Sequence, residues 1–215
     1  MFEINDDLVV EKEVFCDSII YTVDNFYKYP DEVHDYLFNE TPPLWKAELK
    51  PSHNAVHFED RRLLKSDSRI YPVVNWISKL TKTIPDPDTP PNTISTNQIR
   101  FFDHEFNDIE NCYWQPHIDL GYNAIIYFNK DDSVNGTNLY RPLAPERRGV
   151  PEHYYPWRSK DDLVVVKHLK PEYNRLIIFD GNLFVHGMNI VDKRYFSEEY
   201  RKNQVSFFAK PSKNY

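Results

Sequence analysis

"WQPHIDLGYNAIIYFNK", residues 114–130, places His117 and Asp119 immediately ahead of the apolar run AIIYFN. That run reads as a buried strand. In extended chain, alternate side chains point the same way, so His117 and Asp119 share one face while Ile118 turns to the other. An imidazole and a carboxylate so placed are either an ordinary surface pair or two ligands of a metal site. The rest of the chain has to decide.

Short β-like runs fill the sequence on both sides of that stretch after residue 92: NQIRFFD (97–103), GTNLYR (136–141), DLVVVKHL (162–169), NRLIIFD (174–180), LFVHGM (183–188) and QVSFFAK (204–210). Turn signals such as Asn135-Gly136 and Asp180-Gly181-Asn182 separate several of them. The first 92 residues differ. SIIYTVDNFY (18–27) predicts a strand running into a turn. YPDEVHDYLFN (29–39) predicts a helix, with Pro30 at its first position and Asp31 and Glu32 in its first turn. YPVVNWISKLTKTI (71–84) predicts a second helix, stopped by the linker PDPDTPPN. Residues 40–68 read as irregular and polar. The expectation is one α+β domain: strand and helices over 1–92, then a sandwich or jelly roll over 93–215 with the helices packed on one outer face.

A third ligand must come from another run, and His186 in LFVHGMN is the best placed, on the second arm of the hairpin-like NRLIIFDGNLFVHG (174–187). Two histidines and one carboxylate on one face of an octahedron leave adjacent positions open, which a closed four-ligand zinc site does not. A keto-acid co-substrate chelating such a metal needs a fixed cation for its far carboxylate. Arg201, entering the last strand as YRKNQVSFF (200–208), is suited to that, because a guanidinium grips a carboxylate with two hydrogen bonds. Asn203 follows two residues later, on the same strand face.

The series PHID (116–119), NGTNLYR (135–141), NRLIIFDGNLFVHG and YRKNQVSFF resembles the Fe(II)/2-oxoglutarate dioxygenase superfamily, near its prolyl-4-hydroxylase-like branch. It looks closest to a poorly characterised group of bacterial and phage proteins, and DNFYKYPDEV (24–33) resembles that group's start. The resemblance implies a double-stranded β-helix of the jelly-roll, cupin-like kind. It implies Fe(II) held by His117, Asp119 and His186, with 2-oxoglutarate anchored by Arg201 and O₂ as second co-substrate. Asp119 implies hydroxylation, because halogenating members carry a small residue there. Three departures stand out. Asn135 replaces the first glycine of the usual pair, read as a mild change at a turn. Asn203 stands where many relatives have Ser or Thr. Phe101 or Phe102 stands where a co-substrate-binding tyrosine is common, leaving Tyr127 as its substitute. A cupin-like metal protein with 2-oxoglutarate-independent chemistry and a non-catalytic binding module remain alternatives.

The formal charge of −7 argues against nucleic acid and anionic membrane as partners and leaves a small-molecule or peptidyl substrate. No apolar run approaches the ~20 residues of a membrane span and no leader opens the sequence, so the expectation is a cytoplasmic protein. Two cysteines, Cys16 and Cys112, build no disulfide framework, and Cys112 is discounted as a ligand. His34, His53, His57, His104, His153 and His168 lack partners at ligand spacing and read as packing or surface residues. FEDRR (58–62) reads as a solvated charge cluster, with substrate gripping by Arg61 or Arg62 the lesser alternative. Residues 141–173, locally basic and holding Tyr154-Tyr155-Pro156-Trp157, read equally as a lid over the site or as an extension of the sheet. Sequence says nothing of oligomeric state.

Overall fold

The computed structural model describes residues 1–39, 45–49, 58–85, 93–101, 109–143 and 157–209. In chain order these form β1 (Val10–Phe15), β2 (Ser18–Val23), α1 (Pro30–His34), β3 (Trp45–Leu49), β4 (Phe58–Ser66), α2 (Tyr71–Thr81), β5 (Ile84–Pro85) and β6 (Thr93–Phe101). There follow β7 (Cys112–Trp114), β8 (Tyr122–Tyr127), β9 (Thr137–Pro142), β10 (Trp157–Ser159), β11 (Leu163–Leu169), β12 (Leu176–Asp180), β13 (Val185–Met188), α3 (Arg194–Ser197) and β14 (Arg201–Ala209). The class is α+β, and every strand pairing is antiparallel.

The nine-stranded sheet runs β1-β2-β12-β8-β14-β6-β4-β3, with β5 also on β14; β11-β9-β13 form a second sheet and β10-β7 a separate pair. Alternation along the central strands sorts the core into two layers. Ala124, Ile126, Phe128, Leu176, Ile178 and Phe208 meet Val33, Leu37, Val73, Val74 and Ile77 of the helical segments. Ile125, Tyr127, Ile177, Phe179 and Val205 face the other way, onto Leu139 of β9 and Leu169 of β11. Full burial of each such side chain is worth about 1.5–3 kcal/mol. The helices therefore cover one face of the large sheet, as expected, and the small sheet covers the other.

The helix signals are read as expected. Pro30 opens α1 with Asp31 and Glu32 in its first turn, and a π-helical turn carries the chain to Asn39. Asp67 caps the 3₁₀ turn before α2 by accepting from the Arg69 amide. α2 stops at Thr81, earlier than the pattern predicted, because Lys82 turns left-handed at φ 56°.

β2 lies where SIIYTVDNFY predicted a strand, and three further strands, β1, β3 and β4, correct the picture of helices first and strands after. β1 and β2 form a hairpin at one end of the large sheet. At the other end β3 and β4 extend it, β4 pairing with β6 from Phe58–Phe101 through Ser66–Thr93. Residues 58–66, inside the 40–68 stretch read as irregular, are thus strand; the solvated-cluster and substrate-gripping readings of FEDRR concern side chains outside the described ones. Two sheet-terminal strands, VEKEVF and WKAEL, carry little apolar alternation, as end strands tend to. NRLIIFDGNLFVHG is also not a hairpin. β12 has β2 and β8 on its two edges, so it has no edge left for β13, which crosses to the small sheet and pairs with β9. At that crossing the Asp180 carboxylate accepts from the amides of Asn182 and Leu183.

Within the C-terminal part of the candidate lid, β10 (Trp157–Ser159) pairs with β7 and β11 (Leu163–Leu169) with β9, joined by a 3₁₀ turn over Lys160–Asp162. The Tyr154-Tyr155-Pro156 cluster, Arg147 and Arg148 lie outside the described residues, as do Phe102, His53, His57, His104, His153 and most of the PDPDTPPN linker.

Candidate metal centre

Residues 115–121, where extended chain was expected to put His117 and Asp119 on one face, are irregular between β7 and β8 apart from a bridge at His117. His117 and Asp119 converge for another reason. His117 forms an isolated antiparallel bridge with His186 of β13, each amide donating to the other's carbonyl at 2.8 Å. The Asp119 amide donates to the Gly181 carbonyl at 3.1 Å, pinning the carboxylate beside the turn that leads into β13. Gly187 allows the close approach: a Cβ there would lie 3.0 Å from the Trp114 carbonyl oxygen. Gln115 adopts a left-handed φ of 41°, a costly conformation for a residue with a Cβ, and its carbonyl meets the His117 ring.

The two imidazoles are oriented alike. His117 Nδ1 lies 2.8 Å from the Gln115 carbonyl oxygen and His186 Nδ1 lies 3.0 Å from that of Phe184. A carbonyl only accepts, so each Nδ1 carries the proton and each Nε2 presents its lone pair. Asp119 Oδ2 sits 3.5 Å from His117 Nε2 and 3.1 Å from His186 Nε2. Ligands at right angles on ~2.1 Å bonds stand about 3.0 Å apart, so these two spacings suit one divalent ion. One ligand atom from each of the three residues lies within 4.8 Å of the others. His186 is buried, while His117 and Asp119 are partly open to solvent.

Protonation follows the same pattern. Burial, and then the neighbouring charge of His117, push the His186 imidazole below its usual range. Burial works to raise the Asp119 carboxyl, but hydrogen bonds and charge from the two imidazoles in their doubly protonated form outweigh it and hold the group well below the usual carboxylate range. A neutral imidazole and an ionised carboxylate are the forms a metal binds.

The remaining candidates lie on the same inner face of the large sheet, farther along. Arg201 and Asn203 point inward from β14, whereas Lys202 and Gln204 point outward to His34 and Tyr27. Arg201 is buried, its Nε and Nη2 each 3.4 Å from the carbonyls of Asn135 and Gly136, its guanidinium carbon 5.7 Å from the Tyr127 ring centroid. Among the described residues no carboxylate comes within ion-pair distance of it, and burial lowers its pKa. Asn203 pairs in register with Tyr127 and buries an Oδ1 that has no hydrogen-bond partner. The Tyr127 hydroxyl meets Thr137 Oγ1 at 2.8 Å.

Asn123 escaped the sequence reading, and Asn135 was read there only as a mild change at a turn. Asn123, on the inner face of β8, donates from Nδ2 to Asp119 Oδ2 at 2.6 Å and lies 2.9 Å from His186 Nε2. The signal was present: an asparagine at an inward position of the apolar run YNAIIY. Asn135 does more than fill a turn. Its Oδ1 accepts from the Val191 and Asp192 amides at 2.6 and 2.9 Å, which corrects the reading of a mild replacement. The discounted His34 packs against Phe38 and Phe128, and His168 bonds to Asn138, as packing histidines do.

Among the described residues no helix is long and apolar enough to cross a membrane. No protein-family model matches this chain, and neither does any curated protein.

Proposed function

We propose that this chain is an Fe(II)- and 2-oxoglutarate-dependent dioxygenase with a double-stranded β-helix core, hydroxylating an unactivated C–H bond of a small-molecule or peptidyl substrate. One combination carries the reading. A preassembled two-histidine, one-carboxylate group and a buried guanidinium that meets no carboxylate among the described residues open onto the same side of one sheet. A buried unpaired charge is expensive, and an anion supplied by a ligand offsets that cost.

In this reading His117 and His186 offer Nε2 and Asp119 offers Oδ2, leaving the other positions of an octahedral ion to co-substrates. Bound there, Fe(II) supplies O₂ activation coupled to decarboxylation of 2-oxoglutarate to succinate and CO₂, with one oxygen atom reaching the substrate. Arg201 anchors the far carboxylate of 2-oxoglutarate through two parallel N–H donors. Asn203, two residues along the same strand face, is the second contact through its Nδ2–H donors. Tyr127 supplies the aromatic floor on which the guanidinium rests, held in place by Thr137. Asn123 and Tyr127 are four residues apart on β8, so about 13 Å of strand separates the metal end from the anchor end. The proposal includes a reduced, cytoplasmic setting, in which iron is held as Fe(II).

The test is succinate release from 2-oxoglutarate by purified protein with Fe(II) and O₂, with and without candidate substrates. The expected result is turnover that needs all three components and is abolished in Asp119→Ala and Arg201→Met. Activity indifferent to Arg201→Met points to a cupin-like metal protein. Metal binding unaffected by Asp119→Ala, with no succinate, leaves a binding module.

A further inference from the structure

Asn123 is the one described side chain that touches two ligand atoms of the triad without being a member of it. Its Nδ2 lies 2.6 Å from Asp119 Oδ2 and 2.9 Å from His186 Nε2. With both imidazoles neutral and carrying their proton on Nδ1, the form that takes a metal, the triad atoms are two lone pairs and a carboxylate, and the Asn123 amide is a donor placed among them. An imidazole protonated at Nε2 donates to Asp119 as well. The residue is buried, and its Oδ1 has no hydrogen-bond partner, so the amide is oriented by the triad and not by an acceptor's partner elsewhere.

Its seat is built for it. A Cβ on Gly181 would lie 2.9 Å from Asn123 Oδ1 and 3.1 Å from both Cγ and Nδ2, so only glycine lets the amide lie flat against the turn. The same Gly181 accepts from the Asp119 amide, so one turn fixes both the backbone of Asp119 and the side chain that holds its carboxylate.

We infer that Asn123 is a positioning residue of the metal centre: its Nδ2–H holds the Asp119 carboxylate in a single orientation, seated against Gly181. The inference rests on the metal-centre reading above and deepens it. Groups hydrogen-bonded to ligating carboxylates typically change metal affinity ten- to a hundredfold when removed. A carboxylate released from its donor is free to bind through both oxygens, and this changes the coordination number of the ion.

The experiment uses Co(II) as the probe, reading both affinity and visible absorption under anaerobic conditions. Asn123→Leu keeps the volume and removes the donor; Asn123→Ser shortens the side chain so that it no longer reaches Asp119; Gly181→Ala displaces the amide while leaving it in place chemically. All three should bind Co(II) about ten- to a hundredfold more weakly than the natural chain, with an altered absorption envelope. A merely structural role would lower the melting temperature and leave the spectrum of the bound ion unchanged. Should Asn123→Leu not fold, Asn123→Ser decides. If the natural chain binds Co(II) and the folded variants match its affinity and spectrum, this inference alone is overturned. If the natural chain takes up no Co(II), the metal centre falls and the inference with it.

Discussion

His117 and His186 hold each other by their backbones: each amide donates to the other's carbonyl at 2.8 Å, and their ring centroids stand 4.4 Å apart. The spacing of the two imidazoles is therefore set by chain pairing before any ion arrives. Gly187 is what permits the pairing, with Trp114 O, Gln115 O and Pro116 Cα all within 3.3 Å of where its Cβ would be. Gly187→Val should push residues 114–117 away from β13. Overpacking of this kind costs about 1–3 kcal/mol, and about 2–4 °C of melting temperature accompanies each kcal/mol in a chain of this size. Metal affinity should fall further than stability does, by at least about tenfold, a loss in the range seen when support for ligands is removed. Calorimetry of Co(II) binding beside a thermal melt measures both. A variant that melts lower but binds as before would show that the bridge does not set the ligand spacing.

Arg201 is expected to trade stability for ligand binding. Its guanidinium is buried against long 3.4 Å contacts to two carbonyls and, among the described residues, no carboxylate. Replacing it with methionine removes a desolvated charge and keeps an apolar stem against Tyr127, so Arg201→Met should be as stable as the natural chain or more so. The stabilisation by 2-oxoglutarate should vanish: a ligand at 100 times its Kd adds about 2.7 kcal/mol to the natural chain and nothing to one that cannot bind it. Thermal melts with metal, with and without 2-oxoglutarate, carry the comparison. Strong destabilisation of the ligand-free variant would instead assign Arg201 to holding the Asn135–Gly136 turn.

The convergence of His117, Asp119 and His186 is easier to anticipate from sequence than the sheet, because few residue types ligate metals and these three stand out. Arg201 stands out because a guanidinium entering an apolar strand has few ordinary uses. Central strands such as LIIFD announce themselves by being buried on both faces. β1 and β4 do not, because VEKEVF and FEDRRLLKS pair through backbone groups that any side chain can carry. The crossing of β12 to β13 is hidden for a similar reason. A turn such as DGN reads the same whether it closes a hairpin or passes between sheets, and the edges taken up by β2 and β8 decide which. Asn123 is a third kind of omission. Its role depends on Gly181, 58 positions away in the chain, and no local pattern contains that contact.

The pH dependence of stability should have a component from His34. Burial, and then the nearby charge of Lys202, hold its imidazole below 6.5, with Asp35 opposing and Lys130 assisting. In the folded chain His34 therefore stays neutral at pH values where the unfolded chain takes up a proton. The unfolded state binds more protons in that window, so stability rises with pH and is lost as pH falls from ~6.5 towards the folded pKa. His168, lowered mainly by burial, adds a component of the same sign. Urea denaturation from pH 7.5 to 5 should show a shallower fall in His34→Phe than in the natural chain, with the His168 component remaining. Parallel curves for the two proteins would mean that His34 titrates alike in both states.

Asn135 offers the sharpest contrast between the family resemblance and the structure. Restoring the glycine usual at that position looks harmless on a turn. The structure argues otherwise, because Asn135 is fully buried and its side chain accepts from the Val191 and Asp192 amides while Nδ2 donates to the Asp192 carbonyl at 3.2 Å. These bonds tie the turn before β9 to the segment before α3. Asn135→Gly leaves two amides without their acceptor, and each lost bond of this kind costs about 0.5–1.5 kcal/mol, more where the orphaned group is dry. The expected loss is about 2–4 kcal/mol by chemical denaturation. Binding should suffer as well, because the Asn135 carbonyl is one of the two that Arg201 contacts, so 2-oxoglutarate affinity should drop while Co(II) affinity, set at the other end of β8, stays within about twofold. A glycine variant as stable as the natural chain would mean that the 191–192 amides find other acceptors and that Asn135 is a tolerated replacement.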